Sequence, residues 1–189
     1  MRKVFKSALI IFVLCSLFIS PVYAKHKHYN DHRNIFSSVQ DLRSAMQNNN
    51  LSINYTDEDN ENLLMKAIKY RANIDVIQEL INLGVNINAQ DEDGETALMK
   101  ALDENSSIET IKLLIKSGAN LNLQDEDGET ALMYAIDDRD SEIINLLLDS
   151  GADVNIRDRK GRNAADYARH EYKLRNSEVL NKILSAEKK

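Results

Sequence analysis

A ten-residue segment, QDEDGETALM, occurs twice without change, at residues 90–99 and at residues 124–133. The aspartate that opens this turn recurs in steps of 34, 34 and 33 residues, at Asp57, Asp91, Asp125 and Asp158. A glycine series and an asparagine series keep the same period, at Gly84, Gly118 and Gly151 and at Asn54, Asn88, Asn122 and Asn155. Three series in phase predict a chain built from copies of one small unit.

One unit, residues 91–124, predicts two short helices joined by turns. Gly94 supplies the positive φ angle of a tight turn, and Thr96 stands where the N-cap of a helix is expected. Ser106, with a glutamate three residues on, predicts a capping box that opens the second helix. Gly118 predicts the end of that helix. Helices this short are marginal alone, so neighbouring units must cover their apolar faces.

This pattern resembles the ankyrin repeat. The segment DEDGETALMKA is similar to the family's opening D-x-x-G-x-T-P-L-H-x-A, and residues 143–155 are similar to the second half of the repeat. The resemblance implies an all-α solenoid of stacked helix-turn-helix units with short hairpin-like loops. Departures occur at the family's proline, here Leu63, Ala97, Ala131 and Ala164, and at its histidine, here Met65, Met99, Met133 and Asp166. We expect the methionines to be buried and to fill the space without the histidine's hydrogen bonds.

The repeats and the two ends divide the chain into segments. We expect a signal peptide at 1–24, a flexible histidine-containing tether at 25–33, an N-terminal capping half-repeat at 34–56, ankyrin repeats at 57–90, 91–124 and 125–157, and a C-terminal capping repeat at 158–189. Both ends are expected to act as caps, because a solenoid needs terminal units with a polar outer face.

The first 24 residues have the features of a secretory signal peptide. Three basic residues precede an uncharged, mostly apolar stretch at residues 8–19, and cleavage is expected after Ala24. A retained membrane anchor is the alternative, but a spanning helix needs about 20 apolar residues and Pro21 interrupts this one. Cleavage would remove Cys15, the only cysteine. We therefore expect an exported protein without disulfides, in a periplasm or secreted.

Charge is concentrated in the repeats. Residues 57–157 contain 23 acidic and 8 basic residues, whereas both ends of the predicted mature chain are mildly basic. An acidic array repels nucleic acid and anionic lipid. We expect no nucleic acid partner, and no membrane contact after signal cleavage.

The sequence offers little that a catalytic site requires. The predicted mature chain has no cysteine and no glycine-rich phosphate loop, and its carboxylates recur periodically instead of marking one site. We expect neither enzymatic activity nor a cofactor. A metal-binding or buffering protein remains the alternative, because His26, His28 and His32 lie close together in the tether and the acidic turns supply further oxygen ligands.

The resemblance implies a concave groove lined by the turn tips and the exposed side of the first helix of each repeat. Carried over residue by residue, it predicts the partner-binding residues Glu92, Asp93, Glu95, Lys100, Asp103, Glu126, Asp127, Glu129, Tyr134 and Asp138. Tyr134 is expected to anchor the partner, because tyrosine buries area at little entropic cost. We expect a monomer that binds a protein with a basic surface. The alternative is that these acids serve only solubility.

Overall fold

The computed structural model describes residues 32–48, 51–138, 141–171, 174 and 177–187. Within these residues the regular structure is helical, and the predicted signal peptide and most of the tether lie outside them. The helices are α1 His32–Ile35, α2 Val39–Asn48, α3 Leu63–Lys69, α4 Ile74–Asn82, α5 Ala97–Asp103, α6 Ile108–Lys116, α7 Ala131–Asp138, α8 Ser141–Asp149, α9 Ala164–His170 and α10 Glu178–Glu187.

The helices stack in two layers. The first helices of the units, α3, α5, α7 and α9, contact one another in chain order. The second helices likewise contact one another in chain order, from α2 through α4, α6 and α8 to α10. The two helices of each unit also pack together. Isolated bridges from Thr56 to Asn62 and from Gln90 to Thr96 close the hairpin-like turns. The predicted all-α solenoid of helix-turn-helix units is confirmed.

The first helices carry the core. In α3 every residue from Leu63 to Ile68 is buried, and Met65, Met99 and Met133 are at most 1% exposed. Ala97 is also fully buried, where a small side chain lets neighbouring helices approach. The expected burial of the methionines is confirmed.

The methionines also accept hydrogen bonds, which the sequence analysis did not expect. Thr96 caps α5 as predicted by accepting from the backbone N–H of Met99 at 3.3 Å. The backbone N–H of Thr96 donates in return to Met99 Sδ at 3.4 Å. Asn62 and Met65 repeat the arrangement at α3. The expectation that methionine contributes no hydrogen bond is wrong, because a thioether sulfur is a weak acceptor.

The start of the second helix lies one residue later than predicted. Ser107, not Ser106, caps α6 by accepting from the backbone N–H of Thr110 at 3.3 Å. Asn105 is left-handed, with φ 51°, and the N–H of Ser106 donates back to Ala101 O at 2.9 Å to end α5. Ser107 is therefore the first residue available to begin the next helix.

The glycines occupy two different kinds of position. Gly84 and Gly118 end the second helices in the left-handed region, with φ +86° and +95°, and a Cβ at either would meet nothing within 4 Å. Gly94 lies at a turn tip with φ +77°, and a Cβ there would lie 3.0 Å from the backbone of Asp125. The prediction that Gly118 ends a helix is confirmed. Gly94 in addition allows the turns of adjacent repeats to touch.

This difference predicts unequal costs for the same substitution. Gly84→Ala should lower the free energy of unfolding by about 1–2 kcal/mol, the cost of a left-handed alanine. Gly94→Ala should cost more, because its Cβ also pushes against the backbone of the next turn. Urea unfolding of the two variants measures both. Equal costs would contradict the close packing of the turns.

Candidate functional site

The first aspartate of each turn holds the loop with one carboxylate oxygen. Asp91 Oδ1 accepts from the backbone N–H of Asp93 at 3.1 Å and of Glu95 at 2.8 Å. The same pair of bonds, to the residues two and four positions on, forms at Asp57, Asp125 and Asp158. The side chain of Asp91 is only 3% exposed. The turn aspartates are therefore structural residues.

The second oxygen of the same carboxylate binds the first helix, nine residues further on. Lys100 Nζ lies 2.6 Å from Asp91 Oδ2, and Tyr134 Oη donates to Asp125 Oδ2 at 2.8 Å. The equivalent pairs are Lys66 with Asp57 and Tyr167 with Asp158. The first aspartate of each turn is thus joined to its own helix through one side chain.

The fifth residue of each turn links one repeat to the next. Glu61 Oε1 lies 3.3 Å from Lys100 Nζ, and Tyr134 Oη donates to Glu95 Oε1 at 3.0 Å. We call this connected set of side chains the polar ladder. It comprises Asp57, Glu61, Lys66, Asp91, Glu95, Lys100, Asp125, Glu129, Tyr134, Asp158, Arg162 and Tyr167, in which Tyr167 continues the series by donating to Glu129.

Cations close both ends of the ladder. Lys69 Nζ donates to both oxygens of Glu61, at 3.0 and 3.1 Å. At the other end Arg162 Nη2 lies 2.6 Å from Asp158 Oδ2, and its guanidinium carbon lies 4.4 Å from the centre of the Tyr167 ring. The Glu61 carboxylate, 4% exposed, is thereby compensated by three lysines. Buried charges require such pairing.

The ladder shifts the pKa of its members. Burial raises the pKa of Tyr134, and hydrogen bonds to Asp125 and Glu95 raise it further. Burial works against the charge of Lys100, but its bonds to carboxylates outweigh this and raise the pKa above 10.5. Burial likewise opposes ionisation of Asp158, yet the backbone N–H and the guanidinium of Arg162 hold its pKa at about 2.

The second and third residues of each turn form an exposed row. The backbone N–H of Glu92 donates to Asp59 O at 3.0 Å, that of Glu126 to Asp93 O at 2.8 Å, and that of Arg159 to Asp127 O at 2.8 Å. Successive turns are therefore fixed to one another. We call the exposed side chains on them the tip row, which comprises Glu58, Asp59, Glu92, Asp93, Glu126, Asp127, Arg159 and Lys160.

The predicted partner-binding residues fall into separate groups. Glu95, Lys100, Glu129 and Tyr134 belong to the polar ladder, where they are half-buried and bonded within the protein. Glu92, Asp93, Glu126 and Asp127 belong to the tip row. Asp103 is exposed at the end of α5, whereas Asp138 ends α7 and its side chain lies outside the described residues. Contact of any of these with a partner stays a prediction.

Sequence reasoning missed the ladder, although a signal for it was present. The nine-residue spacing from each turn aspartate to Lys66, Lys100, Tyr134 and Tyr167 is constant. A lysine or a tyrosine can each donate to a carboxylate, so the shared property is donation and not charge. This series of donors was missed because its members change from lysine to tyrosine between the second and third repeats.

One carboxylate cluster has a spacing that suits a metal ion. Oxygens of Asp57, Asp59 and Glu61 lie within 4.8 Å of one another. Lys66 already binds both Asp57 and Glu61, so the described geometry is that of an ion-pair cluster. Of the tether histidines, His26 and His28 lie outside the described residues, and so does the side chain of His32.

A comparison with protein families identifies the fold. The family described as Ankyrin repeats (3 copies) matches residues 32–125, 64–158 and 103–188. Because these matches together cover most of the chain, the protein belongs to the ankyrin-repeat family, whose members generally mediate protein–protein interaction and are typically non-enzymatic. No curated protein matches the sequence. In the described part of the chain, no helix has the length and apolar character that crossing a membrane requires.

The raised pKa values predict how the protein responds to alkali. The pKa values of Tyr134 and Tyr167 lie above the ordinary 10.0, so their stabilisation is complete below pH 10.0 and is lost as the pH rises further. Lys100, with its pKa above 10.5, acts in the same direction. Tyrosinate absorbance from Tyr134 and Tyr167 should therefore increase only when helical circular dichroism is lost.

The double variant Y134F/Y167F is the control for this titration. Below the unfolding transition it should show the same increase in tyrosinate absorbance as the wild type, because only the other tyrosines titrate there. An additional increase in the wild type near pH 10, with circular dichroism unchanged, would contradict the ladder.

Proposed function

We propose that this protein is a non-enzymatic binding module that holds a protein partner with a basic surface on its acidic turn tips. The observation that carries the proposal is that the acidic residues fall into two groups with different environments. Those in the polar ladder are bonded to lysine, tyrosine or arginine of the same chain. The acids of the tip row are exposed, and within the described residues their side chains make no ion pair.

The fold itself supports this division. In the second turn the first aspartate, Asp91, holds the loop and the helix, and Gly94 allows the close approach of the next turn. The fifth residue, Glu95, binds Tyr134 of the next repeat. The second and third positions contribute backbone groups only. The acidic side chains of Glu92 and Asp93 are therefore not required by the polar ladder.

Six acids on three rigidly joined tips create a negative field over one edge of the solenoid. Such a field accelerates association with a basic surface and disfavours acidic partners. Its effect weakens with salt, because exposed charges are screened within about 8 Å at physiological ionic strength. The predicted binding residues that belong to the polar ladder, such as Tyr134, then hold the turns that carry these acids.

We further propose that the protein acts after export, in a periplasm or outside the cell. The basic and apolar pattern of residues 1–24 supports this setting. A chain without cysteine beyond Ala24 is also compatible with an oxidising compartment.

The test is capture of partners from the exported fraction of the producing cells. The bait is the processed chain, whose N-terminus mass spectrometry should place at Lys25. The variant E92Q/D93N/E126Q/D127N removes four tip charges and leaves the ladder intact. It should lose at least about fourfold in affinity for the captured protein at low salt, since each exposed pair is worth about 0.2–1 kcal/mol.

A matched control separates the tips from net charge. The variant D75N/E109Q/E142Q/E178Q neutralises four exposed acids on the second helices and should bind as the wild type does. Equal loss in both variants, with circular dichroism unchanged, would sink the proposal that the tips bind. An N-terminus at Met1 would contradict export by signal cleavage.

A further inference from the structure

We propose that the tip row recognises a bipolar partner, with basic groups facing the first three tips and acidic groups facing the fourth. This inference rests on the proposed function and specifies the partner's charge order. The first three tips present Glu58 and Asp59, Glu92 and Asp93, and Glu126 and Asp127, whereas the fourth presents Arg159 and Lys160.

The reversal includes both positions that the fold leaves open. In the fourth turn the first aspartate and the glycine are kept: Asp158 Oδ1 accepts from the N–H of Lys160 at 2.9 Å and of Arg162 at 2.8 Å, and Gly161 keeps a positive φ of 78°. The exposed pair, Arg159 and Lys160, changes sign, and so does the fifth residue, where Arg162 stands in place of glutamate and binds Asp158 within the ladder. Within the described residues neither Arg159 nor Lys160 forms an ion pair, so the fold makes no use of their charge.

The row holds its charges in a fixed order. The N–H of Arg159 donates to Asp127 O at 2.8 Å, so the basic tip is joined directly to the third acidic tip. A Cβ at Gly128 would lie 2.9 Å from the backbone nitrogen of Arg159, which shows how closely these tips pack. Because the turns that carry these charges are ordered before binding, little further free energy is needed to order this surface.

The charge order disfavours two other occupants. A second copy of this chain, laid antiparallel on the row, would pair each fourth tip with a first tip but would oppose acidic tips in the middle. A uniformly basic segment would match three tips and be repelled by Arg159 and Lys160. Like charges placed opposite each other lower the affinity for such an occupant.

The spacing between successive tips determines the spacing expected between the charged groups of the partner. Stacked helices pack about 8–10 Å apart, and an extended chain covers about 3.3–3.6 Å per residue. One tip therefore corresponds to about three residues of an extended segment. The defined probe is the peptide KKGKKGKKGEE, whose acidic pair lies at one end.

The control peptide KKGEEGKKGKK has the same composition but places the acidic pair inside. A reversed sequence would be a poor control, because side-chain recognition allows an extended peptide to bind in either direction. Fluorescence anisotropy at low salt should show the first peptide binding about fivefold more tightly than the second, from exposed pairs of about 0.2–1 kcal/mol each. The variant R159E/K160E should abolish that preference, and R159Q/K160Q should reduce it.

The outcomes separate this inference from the proposed function. Equal affinity of the wild type for both peptides, with binding lost in E92Q/D93N/E126Q/D127N, would overturn the charge order and leave the acidic tips as the binding surface. Binding that is unaffected by that variant, or absent for both peptides, would count against both. A preference that persists in R159E/K160E would also overturn the role of the fourth tip.

Discussion

The structure depends on one carboxylate per repeat that has two partners at once. Asp91 closes its loop with Oδ1, through the N–H groups of Asp93 and Glu95, and holds the first helix with Oδ2, through Lys100. The turn, the helix and the next repeat then have fixed relative positions, because Lys100 also contacts Glu61 of the preceding turn. Short helices that are marginal alone are stabilised in this way by neighbours as well as by apolar burial.

This arrangement divides the acidic residues into a structural class and an exposed class. Asp91 and Glu95 are neutralised from within, whereas Glu92 and Asp93 stand on the tips between them. Part of the negative charge of the repeats is therefore presented in a fixed order along one edge of the solenoid. In the proposed function, this order determines which partner binds, in addition to the acidity.

The sequence predicted the repeat, the helices and the burial of the methionines, since these follow from period and pattern. It placed the cap of α6 at Ser106, because either serine suits an N-cap. The left-handed backbone of Asn105 makes Ser107 the cap, and this conformation is visible only in the structure. The sequence grouped Tyr134 with the binding residues because the ankyrin resemblance carried this position over and tyrosine buries area at little entropic cost. The bonds of Tyr134 to Glu95 and Asp125 come from different turns, and their convergence needs three-dimensional packing.

The most direct test of the central role of the turn aspartates compares Asp91→Asn with Asp125→Asn by urea unfolding. Either asparagine can still close its loop through the amide oxygen, which leaves the amide NH₂ facing the helix. At position 91 that donor meets the Lys100 ammonium, so the loss should be about 2 kcal/mol or more, whereas at position 125 the Tyr134 hydroxyl can accept, and about 1 kcal/mol is expected. Equal losses, or a larger loss at position 125, would contradict the account.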